Sequence, residues 1–298
     1  MQGERRASRN MFRGTLTALI TPFDGSRVDF DALERVVARQ LDAGIHGLVP
    51  CGTTGEAATL RREEHLQVVE RVVKLVGGRV PVLAGAGSND TRDAIELTKA
   101  CEGMGADGTL QVTPYYNRPP QEGLVAHFES IADACDKPII LYNVPSRTGC
   151  DMLPDTVTTL SKHSKIVGIK EATGDLARAS AIRRTCGDAF TLLSGDDFTI
   201  LPFMSAGGHG VISVVSNVIP KVIVDLVEDT LDSLALHDFQ LKLTEVLFAA
   251  PNPIPVKAAL KIFGICSDQV RSPLVTLTTD SPVYRRLEAL AQEIRHDQ

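Results

Sequence analysis

The 298-residue chain has no tryptophan, only four tyrosines and no excess of basic residues. Its 31 Lys and Arg residues are outnumbered by 37 Asp and Glu, so the net charge of −6 provides no general basic field for nucleic acid. No apolar run reaches the ~18 residues of a membrane-spanning helix. The basic N-terminal stretch lacks the apolar core of a secretory signal, so we expect a cytoplasmic protein.

The cysteines lack the spacing of metal-binding or redox motifs. There are six of them, scattered along the chain: Cys51, Cys101, Cys135, Cys150, Cys186 and Cys266. No CxxC pair and no close Cys/His pairing occurs, so the sequence predicts neither a zinc site nor a redox centre. Most lie beside apolar runs, where a free cysteine behaves as a small buried hydrophobe. We therefore expect reduced core thiols and no metal.

Short apolar runs, rich in β-branched residues, alternate regularly with amphipathic stretches. The 43% hydrophobic content is ordinary for a globular protein of this length. Eight runs have strand length, and they begin at Gly14, Gly47, Val80, Gly108, Pro138, Ile166, Phe190 and Gly210. Because they are nearly continuously apolar, they are typical of parallel strands buried on both faces.

Each gap between these runs holds a helix candidate. The stretch 31–43, for example, repeats Leu33, Val36 and Val37 at helical spacing. Eight strand–helix units in strict alternation predict an α/β protein with a (β/α)8 TIM barrel. A doubly wound sheet is the less favoured alternative, because no GxGxxG follows the first strand. We expect a disordered N-terminal tail over residues 1–10, the barrel over 11–220 and a C-terminal helical appendage over 221–298.

Polar residues gather where the predicted strands end, which is the active-site face of such a barrel. Lys170 follows four apolar or small residues of the sixth strand. Burial disfavours the ammonium form of a lysine and leaves the neutral amine, which attacks carbonyl groups. A structural lysine paired with Glu171 is the alternative interpretation.

Three of the four tyrosines, Tyr115, Tyr116 and Tyr142, also fall at predicted strand ends. A phenol within hydrogen-bond reach of a forming imine can pass protons. Thr53 and Thr54, in the GTTGE loop, could bridge such phenols or bind a carboxylate. For each of these side chains, ordinary packing with a satisfied hydroxyl is the alternative.

Arg147 lies just past the fifth predicted strand and offers a planar fork that suits a substrate carboxylate. A surface arginine paired with an acid is the competing interpretation. Gly195 and the backbone at Ile212 could approach a ligand closely. No histidine spacing suggests a metal site.

Seven motifs together resemble a known family. In chain order they are GTTGEAATL, VTPYYNRPPQEGL, LYNVPSRTGC, IVGIKEATG, LLSGDD, GGHGVISVVSNV and PNPIPVK. From Met11 to the C-terminal helices the chain resembles the dihydrodipicolinate synthase family, pyruvate-dependent class I aldolases related to N-acetylneuraminate lyase. The resemblance implies a lyase that condenses pyruvate with aspartate semialdehyde to 4-hydroxy-tetrahydrodipicolinate, in diaminopimelate and lysine biosynthesis.

The resemblance also implies catalytic roles. Lys170 would form the Schiff base with pyruvate, while Thr53, Tyr142 and Tyr116 would relay protons. Tyr116 would reach into the site of a neighbouring subunit across a tight dimer interface. The implied assembly is a homotetramer of two such dimers, and no metal or organic cofactor is implied.

Four further residues would contact substrate. By the resemblance, Thr54 would bind the pyruvate carboxylate together with Tyr142, and Arg147 would bind the carboxylate of aspartate semialdehyde. Gly195 and the backbone at Ile212 would shape the pocket.

Some family members are inhibited by lysine at a dimer-interface site. The matching positions here are Ala57, Ala58, Arg62, His65, Asn89, Asp93 and Tyr115. Asp93 stands where the family usually has Glu, and Arg62 where it usually has His. Asp93 would keep the charge for a ligand ammonium at shorter reach, whereas Arg62 would repel that ammonium. We therefore expect weak to moderate inhibition by L-lysine.

Two other functions are weighed against this one. The first is another pyruvate Schiff-base aldolase, such as an N-acetylneuraminate or keto-deoxy sugar acid lyase. Arg147 with the double threonine favours a short, carboxylate-bearing aldehyde over a polyhydroxylated chain. The second is a barrel that binds a keto acid without turning it over, which the full set of catalytic groups disfavours.

Overall fold

The computed structural model describes residues 11–228 and 233–296. The tail predicted over residues 1–10 lies outside this part of the chain. Residues 229–232 and 297–298 of the helical appendage predicted over 221–298 lie outside it as well.

Eight parallel strands and their following helices build the molecule, as the apolar runs predict. The strands are β1 Gly14–Ala18, β2 Gly47–Val49, β3 Leu83–Gly85, β4 Gly108–Val112, β5 Ile139–Asn143, β6 Ile166–Glu171, β7 Thr191–Ser194 and β8 Gly210–Ser213. The helices are α1 Phe30–Asp42, α2 Arg62–Val76, α3 Thr91–Gly103, α4 Gln121–Ala134, α5 Pro145–Thr148, α6 Pro154–Leu160, α7 Leu176–Cys186, α8 Ile200–Ser205, α9 Pro220–Glu228, α10 Ser233–Leu247, α11 Ile254–Ile262 and α12 Pro282–His296. A small hairpin, Phe23–Asp24 with Arg27–Val28, follows β1.

The strand order closes the sheet on itself. Hydrogen-bonded neighbours follow the order β2-β1-β8-β7-β6-β5-β4-β3. A parallel bridge between Leu48 and Val82 joins the two ends, and the amide of Gly85 donates to the carbonyl of Pro50 at 2.9 Å. The fold is a (β/α)8 barrel with a C-terminal helical region, and the doubly wound alternative is wrong.

The register of the central strands determines which side chains share a face. Tyr142 on β5 lies beside Lys170 on β6, and Lys170 lies beside Leu193 on β7. Successive side chains of a strand point to opposite faces, so Lys170 faces the barrel interior while Glu171 faces the surrounding helices. Both residues are buried.

Aspartate caps fix where several helices begin. Asp29 accepts a hydrogen bond from the amide of Ala32 at the start of α1, and Asp90 accepts one from the amide of Arg92 at the start of α3. Such caps satisfy amide groups that a helix leaves without internal partners. The aspartate caps therefore fix where the loops from the strands end and the helices begin.

The C-terminal helices reach back to the rim of the barrel. Lys257 on α11 is fully buried and forms an ion pair with Glu56 of the GTTGE loop. The amide of Arg271 donates to the same carboxylate at 2.9 Å. These contacts hold the GTTGE loop against the helical region. Within the described residues, no helix is both long and apolar enough to cross a bilayer.

Candidate active site

A cavity of about 190 Å³ lies at the C-terminal ends of the barrel strands. Six of the eight catalytic and substrate-binding residues suggested by the sequence line it: Thr53, Thr54, Tyr142, Arg147, Lys170 and Gly195. Its other walls are Ala18, Val49, Gly52, Leu110, Val144, Ser146, Ala172, Asp196, Val214, Phe248 and Asn252. Residues that end different strands therefore meet around one enclosed space, as in other barrels of this type.

Lys170 is only 6% exposed, and its Nζ lies 4.4 Å from the centroid of the Tyr142 ring. Within the described residues no hydrogen bond or ion pair holds this ammonium group. Gly195 leaves room for the lysine, because a Cβ at that position would lie 2.8 Å from Lys170 Cε and 2.6 Å from Ala172 Cβ. The lysine stem thus runs through a space that only glycine leaves open.

Glu171 does not pair with Lys170. Its carboxylate accepts hydrogen bonds from the amide of Thr173 at 2.9 Å and from Asn143 Nδ2 at 3.1 Å. Arg178 on α7 lies 4.0 Å away. Burial raises the pKa of Glu171, and the hydrogen bonds from Thr173 and Asn143 oppose that shift. The structural alternative of a Lys170–Glu171 pair is therefore wrong.

The two threonines of the GTTGE loop have different surroundings. Thr54 is 3% exposed, and its Oγ1 accepts a hydrogen bond from Asn252 Nδ2 at 3.0 Å. Thr53 lines the cavity together with Tyr142, but no hydrogen bond joins these two described residues. The bridge between threonine and phenol that the sequence suggested is therefore not formed in this structure.

Arg147 lies on the short helix α5, which begins at Pro145 directly after β5. A proline suits the first turn of a helix because its missing N–H has no partner to lose there. Arg147 is exposed, and it lines the smaller cavity together with its chain neighbour Ser146 and with Lys170. A cationic residue therefore borders the same space as Lys170.

Two predicted site residues do not line this cavity. Tyr116 is 90% exposed and has a φ of 73°, a strained conformation for a residue with a side chain. Ile212 is buried within β8, and its neighbour Val214 lines the cavity instead. Tyr116 thus points away from the site of its own chain.

The sequence reasoning missed several polar groups at the site. Asn252 belongs to the PNPIPVK motif, but it was given no role. Asp196 lines the cavity, and the neighbouring Asp197 is fully buried, where it accepts hydrogen bonds from the Ser213 hydroxyl and the Val214 amide. Burial raises the pKa of Asp197 to about 6 against these hydrogen bonds. The adjacent acids of LLSGDD were the available signal.

The family model for the dihydrodipicolinate synthetase family matches residues 11–293. The chain belongs to this family. Curated relatives named 4-hydroxy-tetrahydrodipicolinate synthase include that of Magnetococcus marinus, 50% identical over 90% of this chain and 94% of the relative. Another is that of Geobacter metallireducens, 51% identical over 89% and 93%.

Solved structures of the family superpose closely on this fold. Dihydrodipicolinate synthase from Thermotoga maritima has a TM-score of 0.92 at 40% identity, covering 95% of this chain and 98% of that one. The enzyme of Acinetobacter baumannii, complexed with pyruvate, has a TM-score of 0.90 at 41% identity, covering 94% and 98%. The enzyme of Cyanidioschyzon merolae, with lysine bound, has a TM-score of 0.90 at 41% identity, covering 95% and 99%.

A second cavity, of about 620 Å³, adjoins the first. Six of the seven positions matched to the family's lysine site line it: Ala57, Ala58, Arg62, His65, Asp93 and Tyr115. The seventh, Asn89, donates a hydrogen bond to the carbonyl of Tyr115 at 3.2 Å. Thr53, Tyr142, Arg147 and Asn252 line both cavities. The two spaces therefore share a wall that includes three predicted catalytic or substrate-binding residues and Asn252.

Two charged residues of the larger cavity, Arg62 and Asp93, are already paired with each other. Arg62 Nη1 lies 3.1 Å from Asp93 Oδ1 and 3.6 Å from Glu96 Oε2. The carboxylate that was expected to meet a ligand ammonium thus contacts Arg62 instead. His65 Nε2 hydrogen-bonds the carbonyl of Gly85 at 2.8 Å, and burial lowers the pKa of this imidazole.

Proposed function

We propose that the chain is a 4-hydroxy-tetrahydrodipicolinate synthase, a lyase of diaminopimelate and lysine biosynthesis. It condenses pyruvate, held as a Schiff base on Lys170, with L-aspartate 4-semialdehyde. The observation that carries the proposal is the buried Lys170 amine, which faces a small cavity without a carboxylate paired to it. The shared name of curated relatives at about 50% identity supports the same conclusion.

The chemistry begins with attack of the neutral Lys170 amine on C2 of pyruvate. The resulting carbinolamine loses water to give an iminium ion, whose nitrogen draws electrons from C3. Loss of a proton from C3 gives an enamine, and this carbon bonds to the aldehyde carbon, whose oxygen takes up a proton. The amino group of the adduct then attacks C2 and displaces Lys170, which closes the ring. No metal or organic cofactor is proposed, because the iminium nitrogen is the electron sink.

Tyr142 is proposed as the group that passes protons during these steps. Its ring lies beside the lysine, it is 7% exposed, and its register position on β5 directly adjoins Lys170. A phenol beside the lysine can protonate the leaving hydroxyl of the carbinolamine and take up the proton from C3 once its hydroxyl comes within hydrogen-bond reach of them. Thr53 would complete the relay, once substrate or water lies between its hydroxyl and the phenol.

Substrate carboxylates are proposed to meet Arg147 and Thr54. Arg147 offers a planar pair of N–H donors that fits the carboxylate of aspartate semialdehyde. Thr54, with Tyr142, would hold the carboxylate of pyruvate. Gly195 and the backbone at Ile212 shape the wall around these groups.

Tyr116 and the homotetramer remain proposals that depend on a partner chain. An exposed phenol on a strained backbone is more readily explained if it reaches into the site of a neighbouring subunit. We propose a dimer that exchanges Tyr116 side chains, and two such dimers in the tetramer. A cytoplasmic location likewise stays a prediction. So does the division into a barrel over residues 11–220 and a helical region over 221–298.

L-Lysine is proposed as a weak inhibitor that binds in the larger cavity. A relative at 41% identity whose structure holds bound lysine supports lysine as a ligand. Arg62 opposes a ligand ammonium, because its own cation already occupies the contact with Asp93. Arg62→His should therefore strengthen inhibition. Identical initial rates with and without millimolar lysine, for the wild type and this variant, would exclude the proposal.

The substrate assignment is tested by a coupled assay. Purified protein is given pyruvate and aspartate semialdehyde, together with a reductase that consumes the product. Turnover is expected with this pair, and cleavage of N-acetylneuraminate is not. The opposite pattern would favour the sugar acid lyase, and loss of both activities would favour a barrel that binds a keto acid without catalysis.

A further inference from the structure

Asn252 lies at the wall between the two cavities, on the segment that joins α10 to α11. The residue is 8% exposed, and the prolines on both sides of it restrict its backbone. In sequence it is 198 positions from Thr54, and yet its Nδ2 donates to Thr54 Oγ1 at 3.0 Å. The helical region thus contributes a polar group to a site whose other polar residues come from the barrel.

The Asn252 carboxamide is incompletely satisfied. Its Oδ1 is buried and has no hydrogen-bond partner among the described residues. A buried acceptor without a partner costs stability, so such a group calls for an explanation. The hydrogen bond to Thr54 is then the contact that fixes the amide.

That hydrogen bond determines which way the Thr54 hydroxyl can donate. A hydroxyl has one proton and two acceptor positions. Because Oγ1 already accepts from Asn252, and the described residues offer its proton no acceptor, the O–H bond is left to point into the cavity. A carboxylate takes hydrogen bonds only as an acceptor, so a donor facing the cavity is what it requires.

We propose that Asn252 is a positioning residue for the reaction, which acts through Thr54. It holds the Thr54 hydroxyl as a donor toward the pyruvate carboxylate, and it thereby sets the affinity for pyruvate rather than the rate of the later steps. The inference rests on the proposed function, since it assumes that pyruvate occupies the smaller cavity.

Two variants separate this role from simple support of the fold. Asn252→Asp keeps the shape but can only accept, so the Thr54 proton turns toward the new carboxylate and away from the cavity. The pyruvate KM should rise about tenfold or more, with kcat within about threefold of the wild type. Asn252→Ala removes the donor without adding a charge, and its pyruvate KM should rise less, by about three- to tenfold.

A double-mutant cycle identifies Thr54 as the intermediary. In a Thr54→Val background, which lacks the hydroxyl, Asn252→Ala should change the pyruvate KM no further. Gln111→Ala is the matched control: it is a fully buried carboxamide whose Oε1 also lacks a partner, and it lines neither cavity. That variant should lower the melting temperature while its pyruvate KM stays at the wild-type value.

Three results would overturn the proposal: an unchanged pyruvate KM in Asn252→Asp, equal effects of Asn252→Ala with and without the Thr54 hydroxyl, or a raised KM in the Gln111 control. Trapping of pyruvate on wild-type Lys170 with borohydride is measured alongside. Absence of that adduct contradicts the proposed function itself, whereas its presence with insensitive Asn252 variants contradicts only the positioning role.

Discussion

Two buried lysines lie near the GTTGE loop, and they differ in whether the ammonium group has a partner. Lys170 and Lys257 each lie over an aromatic ring, at 4.4 Å from the Tyr142 centroid and 4.0 Å from the Phe23 centroid. Lys257 also forms an ion pair with Glu56 and donates to the carbonyl of Gln269 at 2.8 Å. Lys170 has the ring and an open cavity, but no such partner among the described residues.

The contrast separates a structural lysine from a reactive one. A buried ammonium that is paired and hydrogen-bonded is held in place, and breaking the pair leaves an uncompensated charge. Burial lowers the pKa of Lys257, while the Glu56 carboxylate opposes that shift. An amine without a paired carboxylate, open to a cavity, is free to attack a carbonyl group. Burial alone therefore does not mark a catalytic lysine, whereas burial without a partner does.

The largest expected effect comes from Lys170→Ala. The variant removes the nucleophile but no ion pair, so turnover should fall below detection while the melting temperature stays near that of the wild type. Steady-state assays measure the turnover, and thermal unfolding measures the melting temperature. Retained turnover would show that Lys170 is not the nucleophile. Loss of activity accompanied by unfolding would show that Lys170, like Lys257, stabilises the fold.

Tyr142→Phe should slow imine formation by about 10²–10⁴-fold, because the phenol that passes protons is lost. The ring remains beside Lys170, so this variant separates proton transfer from the ring contact. Stopped-flow measurement of imine formation with pyruvate gives the rate. A wild-type rate would assign the relay to another group, and the far-ultraviolet circular dichroism spectrum controls for folding.

Lys257→Met should lower the free energy of unfolding by about 3–5 kcal/mol, because it leaves the buried Glu56 charge without its partner. Urea unfolding measures the change. Adding Glu56→Gln should recover most of the loss, since the remaining acceptor is neutral. If Lys257→Met has the same free energy of unfolding as the wild type, the Lys257–Glu56 pair does not stabilise the GTTGE loop. Lys257 would then not be a structural lysine.

The sequence was sufficient to predict the barrel because each buried strand is an apolar run. It misplaced the start of the third strand, predicted from Val80 and found at Leu83. Pro81 has no N–H to donate, and the amide of Val82 bonds the side chain of Asp107 at 2.9 Å instead of a neighbouring strand. A contact between residues 25 positions apart cannot be read from local periodicity.

The site was predictable from the sequence where its residues end strands. Lys170 and Tyr142 follow from strand ends, because parallel strands bring their carboxyl ends together. The hydrogen bond between Asn252 and Thr54 joins distant segments, and no pattern in either segment reports the other. The outward direction of Tyr116 depends on its positive φ, which a tyrosine gives no reason to expect.

The free energy of unfolding should also depend on pH through Asp197, with a smaller effect than that of Lys257→Met. Burial raises the pKa of this carboxyl group from 3.8 to about 6, and it outweighs the hydrogen bonds from Ser213 and Val214 and the charge of Lys170, which lower it. The folded state thus favours the protonated acid, so this contribution to stability is full below about pH 4 and is lost as the pH rises through 6.

Asp197→Asn removes that titration. Between about pH 4 and pH 7 the wild type should lose about 2 kcal/mol of unfolding free energy relative to the variant. Urea unfolding at both pH values measures the difference. A change in the opposite direction would mean that the hydrogen bonds from Ser213 and Val214 outweigh burial at Asp197.

Reductive trapping of pyruvate, followed by peptide mapping, tests the central claim most directly. Wild-type protein is incubated with pyruvate and borohydride, digested and analysed by mass spectrometry. The account predicts one reduced pyruvate adduct, on the peptide that carries Lys170, and an unmodified Lys257. An adduct on Lys257, or no pyruvate adduct on Lys170, would contradict it.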